Sequence, residues 1–164
     1  MRKTVEATML RTTALALLLS AATLGSFAAN AQQFTRGNAL VNQSAYAVDS
    51  ERWGEAVNLA NEALRSGEVT LDNLPALYNN LCIGLTGQRR FQDAITACDK
   101  ALDMKPREWK FYNNRANVYF YLGQFGRALA EYYKAVTFNP ANGILMSNIN
   151  LTLEYRKSRA EKSS

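Results

Sequence analysis

Apolar side chains recur along this chain at steps of three and four residues, the spacing of one helix face. Trp53, Ala56, Val57, Ala60, Ala63 and Leu64 form one such set, and Gly67 offers it an end. The same reading predicts helices over about Gly37 to Val48, from Pro75 through Leu85, and from Phe91 to Met104. It predicts three more around Tyr112 to Tyr119, from Phe125 through Ala135, and from Gly143 to about Lys157. Asp49–Arg52, Gly87–Arg90 and Leu122–Gln124 supply turns, so seven helices result. No segment shows the strict alternation of a half-buried strand.

The pattern is itself repeated. Laid over itself at one constant offset, the chain puts Pro140 on Pro106, Ala135 on Ala101, Ala128 on Ala94 and Phe125 on Phe91. At the same offset Tyr112 falls on Tyr78, and Asn113-Asn114 on Asn79-Asn80. The period is about 34 residues, the length of one helix–turn–helix unit in a stacked array. The first helix pair aligns with the second at an offset four longer, with Trp53 on Phe91, Ala56 on Ala94 and Asn42 on Asn80. The four extra residues belong in the connection Ser66–Leu74, where loop entropy makes an insertion cheap. After Pro140 the pattern restarts: Met146, Ile149 and Leu153 stand one period after Tyr112, Arg115 and Tyr119, with no returning helix. Units of fixed length bury their faces only against neighbours, and end units are atypical. The last helix is therefore expected to cap the stack.

This period, with aromatics early, small residues in the middle and a closing proline, resembles the tetratricopeptide repeat, a helix–turn–helix unit. The resemblance implies an all-α fold: a right-handed superhelical stack of antiparallel helix pairs, a TPR-like α-solenoid, with a C-terminal capping helix. The domain is expected over 37–157, with repeats at about 37–68, 75–108 and 109–142 and the capping helix at 143–157.

The first residues call for a separate reading. Arg2, Lys3 and Arg11 precede the apolar run Ala14–Leu19, and Ala29-Asn30-Ala31 is a small-x-small site before Gln32. That layout describes a secretory signal peptide over 1–31, cleaved after Ala31, with Met1 or Met9 as the start. The apolar run is too short for a bilayer, which needs about 20 apolar residues. The mature protein is expected to be periplasmic or secreted, without stable membrane insertion. Residues 32–36 read as a flexible lead-in, and 158–164 as a basic disordered tail.

Charge and composition narrow the chemistry. Lys and Arg number 19 against 14 Asp and Glu; without the leader's Arg2, Lys3, Arg11 and Glu6 the net charge falls from +5 to +3. That is too mild to imply nucleic acid. Histidine is absent, which removes the usual general base and the commonest metal ligand. The carboxylates are scattered, no glycine-rich phosphate loop occurs, and two cysteines alone make no zinc site. The expectation is a protein that is not an enzyme, with no cofactor and no metal. Cys82 and Cys98 each lie eight residues from Arg90, so an antiparallel hairpin brings them to one height. Height does not fix facing direction, so a disulfide and two reduced core thiols both stay open.

A row of asparagines is the sharper candidate. Asn42, Asn80, Asn114 and Asn148 occupy one place in successive first helices. Lys110, Asn114, Asn117 and Tyr121 share a face of the third, matched by Ile83 on the second and Leu151 on the last. An asparagine amide can pair with the backbone of any extended peptide. Tetratricopeptide proteins are similar in binding partner segments in a concave groove, and the resemblance carries that role onto Asn80, Asn114 and Asn148, more weakly onto Asn42. The same residues could instead join helix to helix; a binding role leaves their amides free and their loss nearly neutral for stability. The function expected is a non-catalytic adaptor for a peptide segment of an envelope partner. The alternative is a self-association module of a periplasmic complex, in which the chain forms a homo-oligomer.

Overall fold

In the computed structural model, residues 35–162 are described, and the helical unit comprises residues from Gly37 onward. The predicted signal peptide and cleavage point lie outside the described residues. Seven helices are described, numbered here in chain order: α1 over 35–49, α2 Trp53–Ser66, α3 Leu74–Gly87, α4 Phe91–Met104, α5 Trp109–Tyr121, α6 Phe125–Phe138 and α7 Gly143–Glu161. No strand occurs among the described residues. Helices α3 and α4 pack as one hairpin and α5 and α6 as the next. Each hairpin packs on its neighbours through α2 with α3, α4 with α5 and α6 with α7. The first helices of adjacent units, α3 and α5, also touch.

Alanines set the spacing. Ala56, Ala63, Ala94, Ala101, Ala128 and Ala135 hold equivalent places on the second helices and are all fully buried. A methyl group there lets helix backbones approach closely, and larger neighbours fill the remaining space. Around α2 to α4 the core gathers Val57, Leu77, Leu81, Leu85, Cys82 and Cys98. Around α5 to α7 it gathers Tyr119, Leu129, Tyr132, Leu145 and Ile149. Arg115 of α5 adds a polar clamp, donating to Asp99 of α4 and to Glu131 of α6 at 2.8 Å. Burial opposes its charge, but the hydrogen bonds and charges of Glu131 and Asp99 outweigh this and hold the guanidinium above its ordinary range.

Local chemistry explains the helix ends. Asn142 caps α7, its Oδ1 accepting from the amides of Ile144 at 3.0 Å and Leu145 at 3.2 Å. Pro75 sits in the first turn of α3, where its missing N–H costs nothing. The long connection after α2 is tied to α1, because Asn38 Oδ1 accepts from the amide of Thr70 and from Asn73 Nδ2 at 2.9 Å. Two boundaries differ from the sequence expectation. Residues 35–36, expected in the lead-in, are already helical, and α7 continues through Glu161 instead of fraying at 158. Nothing between Ile144 and Glu161 breaks a helix, and Arg159 anchors the last turn by lying against Gly123 in the α5–α6 turn.

Cys82 and Cys98 are joined by a disulfide, with Cα atoms 5.2 Å apart, which couples α3 to α4 inside the core. Their separation of 16 residues closes a loop worth about 3 kcal/mol in the chain-entropy account. Reduction under native conditions is expected to lower the melting temperature by roughly 10 °C. Identical melting curves with and without reductant would contradict this.

Candidate functional site

The asparagine row is largely taken up by contacts between helices, and Asn114 also lines a cavity. Asn80 is buried, and its Nδ2 donates to Ser44 Oγ at 2.9 Å and to the Val41 carbonyl at 3.2 Å. Ser44 in turn donates to the Val41 carbonyl at 2.8 Å. Asn148 donates to Asn113 Oδ1 at 2.9 Å, Asn113 to Asn114 Oδ1 at 3.3 Å, and Asn114 to Asn79 Oδ1 at 2.8 Å. One chain of amides therefore crosses from α7 through α5 to α3, and a second contact joins α3 to α1. Asn80 is thereby corrected from a groove residue to a core one. Asn114 and Asn148 spend their amides on the neighbouring helix. Position along a helix could not separate these cases, because a lateral helix–helix position and a groove position look equally polar in sequence.

Other predicted residues do converge. Ile83 of α3 and Asn114, Asn117 and Tyr121 of α5 line a half-open cavity of about 450 Å³. Trp53, Thr86, Gly87, Arg89 and Phe91 complete it. Asn42, Lys110, Asn148 and Leu151 do not line it. Lys110 lies instead beside its neighbour Trp109, 5.9 Å from the ring, while Asn42 and Leu151 are exposed elsewhere. Phe91 and Tyr121 stack with ring centres 6.4 Å apart. Tyr121 is 63% exposed, so its free face is offered to solvent.

The polar groups of the cavity are set by the core behind it. Tyr132 donates to Asn117 Oδ1 at 2.6 Å, which orients the amide and leaves Asn117 Nδ2 with no partner among the described residues. Burial pushes the Tyr132 hydroxyl up to about 12, against a lowering contribution from the Thr152 hydroxyl. Thr86 donates to the Cys82 carbonyl at 2.7 Å and keeps its oxygen free to accept. The lining holds one cation, Arg89, and no carboxylate. Among the described residues no three His, Cys, Asp or Glu side chains come together as metal ligands.

Trp53, Arg89 and Phe91 escaped the sequence reading. Trp53 and Phe91 read as core residues opening their helices, and Arg89 as a turn residue. A signal was present: Gly87 is the counterpart of Tyr121 one period later and of Tyr155 two periods later, alone of the three without a side chain. A Cβ on Gly87 would lie 2.3 Å from Cδ2 of Trp53, so the indole occupies the room that a side chain takes in the other units.

These contacts set two expectations for stability. Asn80→Ala and Asn114→Ala are each expected to cost about 1–2 kcal/mol and lower the melting temperature by several degrees. Unchanged melting would mean the amides are not structural. Tyr132 titrates higher folded than its unfolded value near 10, so its stabilisation is complete below pH 10 and is lost as pH rises towards 12. Tyr132→Phe should flatten the loss of stability over that interval in alkaline melts; an unaltered slope would contradict the assignment.

Comparison with known proteins agrees with this architecture. Residues 109–142 match the model of the tetratricopeptide repeat. A DnaJ homolog subfamily C member 7 homolog from Dictyostelium discoideum is 33% identical over 73 residues. That match covers 44% of this chain and only 14% of the relative. The first TPR domain of human RPAP3 superposes with a TM-score of 0.68 at 16% identity, over 78% of this chain and 98% of that one. The first TPR of Spaghetti (RPAP3), bound to the HSP90 peptide SRMEEVD, gives a TM-score of 0.64 at 16% identity, over 73% and 94% of the two chains. The helices described here thus form an all-α solenoid of tetratricopeptide type, with a C-terminal helix beyond the repeat at 109–142.

Proposed function

We propose that this chain is a non-catalytic adaptor that holds a peptide segment of another protein on the side formed by its first helices. The observation that carries the proposal is the cavity itself. Ile83, Trp53, Phe91 and Tyr121 offer apolar surface around an Asn117 Nδ2 and an Arg89 guanidinium that have no partner among the described residues. Its volume falls within the range of ligand pockets, about 300–1,000 Å³. Burying one large apolar side chain contributes about 1.5–3 kcal/mol, and two or three hydrogen bonds add about 1 kcal/mol each. Together these give about 3.5–6 kcal/mol, a Kd between roughly 40 µM and a few millimolar, suited to a reversible adaptor. The peptide held by a similarly folded TPR domain supports the mode of binding and leaves the partner open.

The setting proposed is the periplasm or another exported compartment. A buried disulfide is at home where thiols are oxidised, and the leader-like start at 1–31 points the same way. No helix among the described residues is long and apolar enough to cross a membrane. Self-association is the second reading, because α7 leaves Ile144, Met146, Leu151 and Tyr155 exposed.

The test is chemical cross-linking in envelope extract with wild type beside Tyr121→Ala. The variant is expected to melt close to wild type, since Tyr121 is mostly exposed, and to lose the cross-linked partner. Equal cross-linking by both proteins would contradict the adaptor. Scattered-light mass that rises with concentration would favour self-association instead.

A further inference from the structure

The turn between α3 and α4 differs from its counterparts in a way that suits one kind of ligand. Each such turn holds one residue in the left-handed region, and in the third unit it is Gly123 at φ 70°. In the second unit the equivalent residue is Arg89 at φ 60°, and in the first it is Glu51 at φ 56°. An L side chain there is strained where glycine is not. Glu51 shares this strain, so what distinguishes Arg89 is its positive charge and its place in the cavity wall. The Arg89 side chain lines the cavity, makes no ion pair among the described residues, and meets no carboxylate in the lining. Beside it the absence of a side chain at Gly87 brings the Trp53 indole into the wall.

Resting on the adaptor reading above, we propose that this cavity recognises an internal acidic–aromatic segment. In such a segment a large apolar side chain, best an aromatic one, lies next to or near an Asp or Glu. Trp53, Ile83, Phe91 and Tyr121 take the ring, Arg89 takes the carboxylate, and Asn117 Nδ2 donates to a backbone carbonyl. Charge complementarity selects the acid, since the site offers one cation and no anion. The segment is internal because the lining holds one cation, which the acidic side chain takes, leaving none for a terminal carboxylate. Tyr121 meets Phe120 at 5.8 Å between ring centres, and Phe120 meets Tyr155 at 5.2 Å, giving the ligand chain a surface on which to run on.

Arg89 allows a test that separates binding from folding. Short random peptides are arrayed with both ends blocked, and a second array leaves the C-terminal carboxylate free. Both are probed with the disulfide-bonded protein and with Arg89→Gly and Arg89→Glu. The blocked array is expected to select peptides pairing an aromatic with an acid. Arg89→Gly should weaken them about tenfold or more while melting no lower than wild type, because glycine relieves the backbone. Arg89→Glu, a residue the first unit already holds at this place, should shift selection towards basic peptides. Selection confined to free C-termini, or acidic–aromatic binding indifferent to both variants, would overturn this inference and leave the adaptor reading standing. Arrays that bind nothing on wild type would overturn both.

Discussion

Close approach between helices is the constraint on which this molecule depends. The buried alanines of α2, α4 and α6 admit it, and without it neither hairpin core closes. Once the hairpins are this thin, their first helices come within reach of one another. Short amides can then bridge them, as Asn148, Asn113, Asn114 and Asn79 do in sequence. A chain of hydrogen bonds polarises along its length, so the row acts as a unit that fixes the spacing between repeats. The Arg115 clamp does the same on another face, holding α4, α5 and α6 by one guanidinium.

The proposed binding cavity lies where that regularity is broken. The last residue of the first helix is tyrosine in α5 and has a tyrosine counterpart in α7, each against an aromatic that opens a second helix: Phe91 on Tyr121, Phe125 on Tyr155. In α3 the residue is Gly87, and the aromatic is the larger Trp53. One exchange of sizes conserves the packing yet changes the surface, turning a filled seam into a wall of the cavity. Arg89 in the adjoining turn accepts backbone strain that its glycine counterpart avoids.

The fold was legible because it is written twice, once as helical spacing and again as the repeat period, so errors at one level are corrected at the other. Boundaries followed local chemistry: Pro75 and Asn142 marked starts well, whereas Arg159 held the last helix through a contact distant in sequence. The cysteines showed their height and not their facing, which only the packed hairpin supplies. The site was half legible. Ile83, Asn117 and Tyr121 follow from one helix face, but Asn80 shares its polarity while pointing to a neighbouring helix, and Asn114 bonds to a neighbouring helix while also lining the cavity. Trp53 and Arg89 looked like core and turn when read singly, and they acquire meaning only when each is compared with its counterparts in the other units.

If the Trp53–Tyr121 cavity, and not another face, receives the partner, a bound segment must perturb the residues that line it. Heteronuclear NMR of the disulfide-bonded protein, titrated with such a segment, reads this residue by residue. The Trp53 indole N–H, the Ile83 methyls and the Asn117 side-chain amide are expected to shift together, with the side-chain amide of Asn80 little changed. Shifts concentrated on the outward side of α2, α4 and α6, with those three signals unmoved, would place the partner elsewhere and refute the cavity as its seat.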